Sequence, residues 1–244
     1  MLYVLLGTGL LFISMAFLVT EKNAKYLLSG YNTMSEEERQ KVAIQSYIPY
    51  FRKFHLFLGI SFIAFGLLLH VGIGESASGI FIGVYPILAY IYFIKESSKY
   101  WKGSGNKWNK IGLYVLVGTF ILIIGLFTMG FRENKILITV DRIELQGIYG
   151  ETFKPASIKS VALVDQLPNI SSKTNGFALG PIKKGLFRTK DGENVKLILN
   201  SLNAPFLLIT KNDNSKIYFS AKESPNIELY NELKNTFPKN IEYY

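Results

Sequence analysis

The chain has 244 residues, a net charge of +9 and 49% hydrophobic side chains, room for one ordinary domain plus a membrane region or for two small domains. It contains no cysteine, which excludes disulfides, thiolate nucleophiles and cysteine-based metal sites. Residues 1–131 carry a charge of +5 and residues 132–244 one of +4; much of this excess flanks apolar runs and none forms an arginine-rich stripe, so nucleic acid is not an expected partner.

Residues 1–20, 54–74, 76–94 and 111–131 contain no Asp, Glu, Lys or Arg. Each is close to the roughly 20 residues a helix needs to cross a bilayer core, so the sequence predicts four transmembrane helices. Ser14-Met15-Ala16 has the small residues of a signal-peptide cleavage site. No basic segment precedes it, however, and the apolar run continues to Thr20, so the first helix is expected to be retained. Lys and Arg crowd the loops 21–53 and 95–110 and are missing around Gly74-Glu75-Ser76. Those two loops are therefore expected in the cytoplasm with both chain ends outside, a multi-pass arrangement in the cell (inner) membrane; Arg132, Lys135 and Arg142 count the other way. Trp101 and Trp108 flank the second basic loop and suit the bilayer interface.

The first loop is patterned. Ser35 followed by Glu36-Glu37-Glu38 reads as a capping box, with acidic side chains at the positive end of the helix dipole, and predicts a helix over 36–46 that ends before Pro49. Gly30 and Asn32 upstream suit a tight turn. That leaves Tyr31, Thr33 and Met34 as candidates for docking a partner, or as parts of the turn's own packing. In the third span Gly79 and Gly83 stand four apart, a spacing that lets helices approach closely, and Pro86 predicts a kink.

From residue 135 the texture changes to short β-prone runs: KILITV, RIELQGIY, SVALV, FALG, GLFRT, VKLILN, PFLLIT and KIYFS. Asp191-Gly192 and the segment Lys211 to Asn214 mark turns. SPNIELYNELKNTF then places Ile227, Leu229, Tyr230 and Leu233 on one helical face. The expected fold is a membrane α-helical region over 1–131, followed over 132–244 by a mainly-β barrel or sandwich of about seven antiparallel strands, closed by the C-terminal helix and tethered by residues 132–135.

Two resemblances follow from these features. Leu28-Ser29-Gly30-Tyr31-Asn32-Thr33-Met34-Ser35 between apolar helices resembles a loop in a bacterial membrane family of unknown function, which has a similar Gly-Tyr-Asn-Thr-Met segment after its first helix. The second half resembles a bacterial pleckstrin-homology-like domain in the paired strands ILITVDRIELQGIYG, in PASIKSVALVDQLP, in Thr174-Asn175-Gly176-Phe177, in the strand from Gly185 to Arg188 and in the last helix. That resemblance implies a PH-like binding module. Relatives that bind phosphoinositides use a Lys and then Arg-x-Arg; Lys135 and Arg142 are here, but Glu144 stands where the second Arg would, so inositol-lipid recognition is not implied.

Catalytic patterns are not found. His55 and His70 lie 15 residues apart in one predicted helix, too distant to share a metal, and suit interfacial anchoring. There is no phosphate-binding Gly loop, nucleophile elbow or His-Glu-x-x-His helix, and the uncharged spans argue against proton-coupled transport. The expectation is a non-enzymatic membrane protein with no cofactor, metal or small-molecule substrate. Its partners would be the lipid bilayer and a protein or peptide at the β domain. A sensor coupling the loop to an extracytoplasmic domain is the alternative, and a membrane enzyme, which would have to rely on Glu75 and Glu96, a third reading. Candidate binding residues are Tyr31, Asn32, Thr33, Met34, Asn175, Phe177, Lys183 and Lys184. The lysine pair, beside Phe177 and Phe187, suits either anionic headgroups or a solvated turn between strands.

Overall fold

The computed structural model describes residues 1–101, 105–223, 225–238 and 241–244, without side-chain detail at 105–108. Lys102 and the side chains of Lys107 and Trp108, which entered the topology reading, therefore lie outside the described residues. Contacts divide the chain into two compact units, Met1–Gly125 and Leu126–Tyr244.

The first unit is helical. Three helices are long and apolar enough to cross a membrane: α4 (Ile44–Gly72), α5 (Glu75–Ser97, continuing as a 3-10 turn to Tyr100) and α6 (Gly105–Phe131). The first apolar run forms the shorter helix α1 (Leu2–Leu18, 17 residues), about 25 Å long against a hydrocarbon core of about 30 Å. Apolar helices of this kind mark a membrane protein, with three candidate spans and one shorter helix rather than four equal ones. The loop between α1 and α4 holds two single turns, α2 (Ala24–Leu27) and α3 (Glu36–Arg39).

The capping box forms as the sequence predicts: the Ser35 hydroxyl accepts from the Glu38 amide, and the Glu38 carboxylate accepts from the Ser35 amide. The helix it starts lasts only one turn. Val42 bridges to Trp101, and the Ala43 amide donates to the Tyr100 carbonyl, so this stretch is pulled away from helical hydrogen bonding. Helix α4 begins directly afterwards and passes through Pro49. Proline near a helix start forgoes a single interior hydrogen bond, here the one Gln45 would accept, and the predicted boundary at Pro49 is overturned.

Helices α1 and α4 run antiparallel in close contact. A Cβ at Gly59 would lie 2.7 Å from the Gly9 carbonyl oxygen and 2.9 Å from the Ile13 amide nitrogen, so the two backbones nearly touch there. Gly9 and Gly59 are thus the small residues at which these two helices approach closely. At one end of the unit an aromatic core gathers Tyr31, Tyr47, Phe51, Phe54, Phe93 and Trp101.

In the second unit a three-stranded antiparallel sheet comprises β1 (Ile136–Ile138), β2 (Ile143–Leu145) and β3 (Thr152–Phe153). A seven-stranded sheet follows the order β10-β4-β8-β9-β7-β6-β5, from β4 (Ile158–Val164), β5 (Ile170–Leu179), β6 (Ile182–Thr189), β7 (Asn194–Leu199), β8 (Phe206–Lys211), β9 (Lys216–Ser220) and β10 (Glu242–Tyr243). It is mixed, because β7 pairs parallel with β9 and β10 parallel with β4. The all-antiparallel expectation is corrected on this point.

Strands β4 and β5 are consecutive in sequence yet five strand spacings apart, about 24 Å in a flat sheet. From Val164 to Ile170 an extended chain reaches only about 20 Å, so the sheet must curl. The crossing segment lays Leu167 against Phe187, Val195, Leu197, Leu199, Phe206 and Tyr218, filling the inside of that curl. The curl does not close into a barrel: β5 and β10 remain edges.

The opposite face packs Ile198, Leu207, Ile209, Ile217 and Phe219 against Ile143, Leu145 and Phe153 of the small sheet and against Leu233 and Phe237. Helix α7 (Asn226–Thr236) thereby covers the core as expected, with Leu233 buried, Leu229 and Tyr230 against the core, and Ile227 turned outward. Glu151 pins the small sheet to the large one through Lys196 (3.2 Å) and Lys211 (3.5 Å).

The substitution Gly59→Val forces side-chain atoms into the α1–α4 contact and is expected to cost about 1–3 kcal/mol. The readout is a lowered thermal midpoint of the detergent-solubilised protein. Gly7→Ala, whose added Cβ meets nothing within 4 Å, leaves the midpoint unchanged or raises it.

Candidate functional site

Two places hold the candidate residues, one in each unit. In the loop, Tyr31 and Met34 are buried and belong to the aromatic core, with the Tyr31 ring edge-on to Trp101 at 6.1 Å. Arg39 holds the turn from outside: Nε donates to the Tyr31 carbonyl (3.2 Å), Nη2 to the Asn32 carbonyl (3.3 Å), and the guanidinium lies over the Tyr31 ring. Asn32 and Thr33 are exposed, and the Thr33 hydroxyl donates to the Gly30 carbonyl. The packing reading therefore accounts for Tyr31 and Met34, leaving two exposed side chains for any contact with a partner.

Two further expectations in this unit change. Trp101 is buried in the aromatic core rather than presented to an interface. His55 is likewise inside the bundle, with Nδ1 2.8 Å from the Phe51 carbonyl and Nε2 3.2 Å from the Tyr90 hydroxyl. It is a hydrogen-bonded core histidine. His70 lies near the α4–α5 turn, 3.4 Å from the Ser78 hydroxyl. Among the described residues no group of three or more His, Asp and Glu could hold a metal ion.

The second place is where α6 gives way to β structure. A helix leaves its last carbonyls without intrahelical partners, and the oxygen of Arg132, one residue beyond α6, accepts from Lys184 Nζ. Lys184 is fully buried. Its burial corrects the headgroup and solvated-turn readings for Lys184 alone; it reaches the end of the helix, where the dipole favours a cation. Phe177, the register partner of Lys184 across β5 and β6, covers Gly130 so closely that a Cβ there would lie 2.5 Å from the ring. Its ring stands 5.5 Å from Phe131 and 6.5 Å from Phe127.

Every residue of the expected tether is held. The Glu133 carboxylate accepts from the Lys222 amide (3.0 Å). Asn134, fully buried, donates its amide to Asn200 Oδ1 (3.0 Å), and its carbonyl accepts from Asn200 Nδ2 (2.9 Å). The Lys135 carbonyl accepts from the Gln146 amide (2.8 Å). Asn200 also donates to the Ser220 carbonyl, so one buried amide ties the junction to the end of β9.

The structure thus brings Phe177 and Lys184 together at the junction. Asn175 is exposed nearby on β5 and accepts from the Tyr149 hydroxyl (2.7 Å), while Lys183 is half-buried and takes no part in the junction contacts. Sequence reasoning missed Asn134 and Asn200: they are 66 residues apart, and no local pattern pairs them.

Residues 6–100 match the model of the family described as Domain of unknown function (DUF3784). The matched stretch takes in α1 from residue 6 onward, the Gly30–Ser35 turn, α4 and α5, and ends before α6 and the β unit. The first half of the chain is therefore similar to a membrane-like family of unknown function. No curated protein and no solved structure matches the chain.

Burial lowers the Lys184 ammonium from 10.5 to about 8, with nearby Glu133 opposing the shift. Between those values the unfolded chain binds more protons than the folded one, so stability rises with pH across the window, and the cost of the buried charge is fully present below it. The thermal midpoint of the full-length protein, taken relative to Lys184→Met, is expected to climb from about pH 7.5 to about pH 10. A pH-independent difference between the two proteins contradicts this.

Proposed function

We propose that this is a non-enzymatic, multi-pass protein of a bacterial inner membrane whose helices, α1 included, anchor a PH-like β module that acts as a binding or scaffolding domain. The observation that carries the reading is the junction at residues 132–135. Each of its four residues is fixed to the β unit by a hydrogen bond, an arrangement suited to holding a module and ill suited to a loose linker. The two-sheet core covered by a C-terminal helix supports the PH-like resemblance, while the curled, open, mixed sheet departs from a barrel.

A protein or peptide partner is the expected ligand of the module. Strand β5 is ten residues long and forms one edge of the large sheet, with Ser171 to Asn175 exposed. Such an edge offers unpaired backbone groups to an added strand, and exposed Asn175 lies on it. The second reading, a sensor coupling the cytoplasmic loop to an extracytoplasmic domain, is favoured by the same junction, because a fixed helix end passes displacement of the helix to the sheet.

The membrane arrangement is testable because the chain has no native cysteine. Single cysteines at Glu36 and Lys190 are expected to label from opposite sides of intact cells, Glu36 from within. Labelling from the same side contradicts both the topology and the sensor reading. A photo-crosslinking residue at Ser172 in the full-length protein is expected to give a discrete protein adduct. No protein adduct, or turnover by the full-length protein on a hydrolase and transferase panel, contradicts the binding-module reading.

A further inference from the structure

We infer that the groove between the end of α1 and the start of α4 is a binding site for the headgroup of an anionic phospholipid. Thr20, Lys22, Pro49, Arg52 and Lys53 line an open groove of about 750 Å³, a volume within the range of ligand sites, about 300–1,000 Å³. Its cations stand at the two ends of uncharged sequence: Lys22 follows the run 1–20, and Arg52 and Lys53 precede the run 54–74. Antiparallel packing of α1 on α4 brings these two ends to one level.

All three cations are exposed on ordered backbone. The Asn23 side chain shapes the turn that carries Lys22, accepting from the Thr20 amide (2.7 Å) and donating to the Leu18 carbonyl (2.9 Å). Arg52 donates Nε to the Ala16 carbonyl at 3.4 Å, with its guanidinium 6.0 Å from the centre of the Phe17 ring. This orients the fork and leaves its terminal nitrogens for a phosphate, a geometry for which a guanidinium is suited. Among the described residues Lys22, Arg52 and Lys53 form no ion pair, and Glu21 is the one carboxylate on the rim.

The surroundings favour a lipid over a free anion. On α4 the stripe from Arg52 continues at helical spacing through Leu56 to Ile60, and Phe57 follows Lys53 in the same way. Ile60 is 60% exposed and Phe57 68% exposed. A phosphate seated on the cations would have its acyl chains directed along that apolar stripe. Three cations against one carboxylate select a headgroup with net negative charge over one that carries its own ammonium. Basic pockets between membrane helices hold anionic headgroups in this way. The inference rests on the helices lying in a bilayer.

The test uses the full-length protein in detergent, titrated with phosphatidylglycerol or phosphatidylcholine and followed by native mass spectrometry and thermal unfolding. Phosphatidylglycerol is expected to bind and raise the midpoint, and phosphatidylcholine to do neither. Each cation removed is expected to weaken binding about fivefold, so R52Q/K53Q loses about 25-fold and K22Q, altered on a turn outside the helices, about fivefold. K41Q, outside the groove, binds as the parent does. Equal binding of the two lipids, parent-like binding by K22Q and R52Q/K53Q, or competition by inorganic phosphate at lipid-like concentration overturns the proposal. Recovery of the chain from cells without detergent would instead defeat the membrane reading beneath it.

Discussion

The carbonyl of Arg132 accepts a hydrogen bond from a lysine that has no contact with solvent. A buried amine is costly unless a specific partner compensates, and here the partner is the exposed end of an apolar helix whose own hydrogen bonding has run out. At one point each deficit offsets part of the other. Phe177 over Gly130, the Asn134–Asn200 pair and the Glu133 contact then surround that point with packing and backbone satisfaction. The last six residues of α6, Leu126 to Phe131, accordingly count with the β unit.

The helical unit is organised by a different constraint. Its two basic segments meet at one end, because Val42 bridges Trp101 and Ala43 bonds Tyr100. Aromatic side chains from the loop, α4 and the end of α5 close over that meeting. Large rings bury much area for little conformational entropy and pack edge-to-face. Tyr47 stands in such geometry to both Tyr100 and Trp101. The Gly30–Ser35 turn supplies two further side chains to this core, so its unusual sequence is largely a packing solution.

How much of this was legible in the sequence depends on how local each cause was. Uncharged runs revealed α4, α5 and α6, and Ser35 with Glu38 revealed its cap, because both signals lie within a few residues. Strands β6 to β9 announced themselves through buried β-branched and leucine-rich runs. Strand β5 was seen only at its FALG end: Ser171 to Asn175 are exposed, so no apolar alternation marks them. The two-residue strands β3 and β10 carry no periodicity at all. Lys184 was misread because a lysine between turn and strand is ordinarily solvated, and its partner lies 52 positions away. Of the two forms expected, barrel or sandwich, the sheet does not close into a barrel, and the parallel insertion of β9 beside β7 is a long-range choice that no local pattern marks.

The central claim is that residues 132–135 are a fixed junction and not a linker. Amide hydrogen exchange on the full-length protein in detergent tests it directly. The account predicts that the Asn134 amide, bonded to Asn200, and the Gln146 amide, bonded to Lys135, exchange as slowly as the amides of the β6–β7 ladder. Exchange of both at the rate of an unstructured chain, while that ladder stays protected, would contradict it.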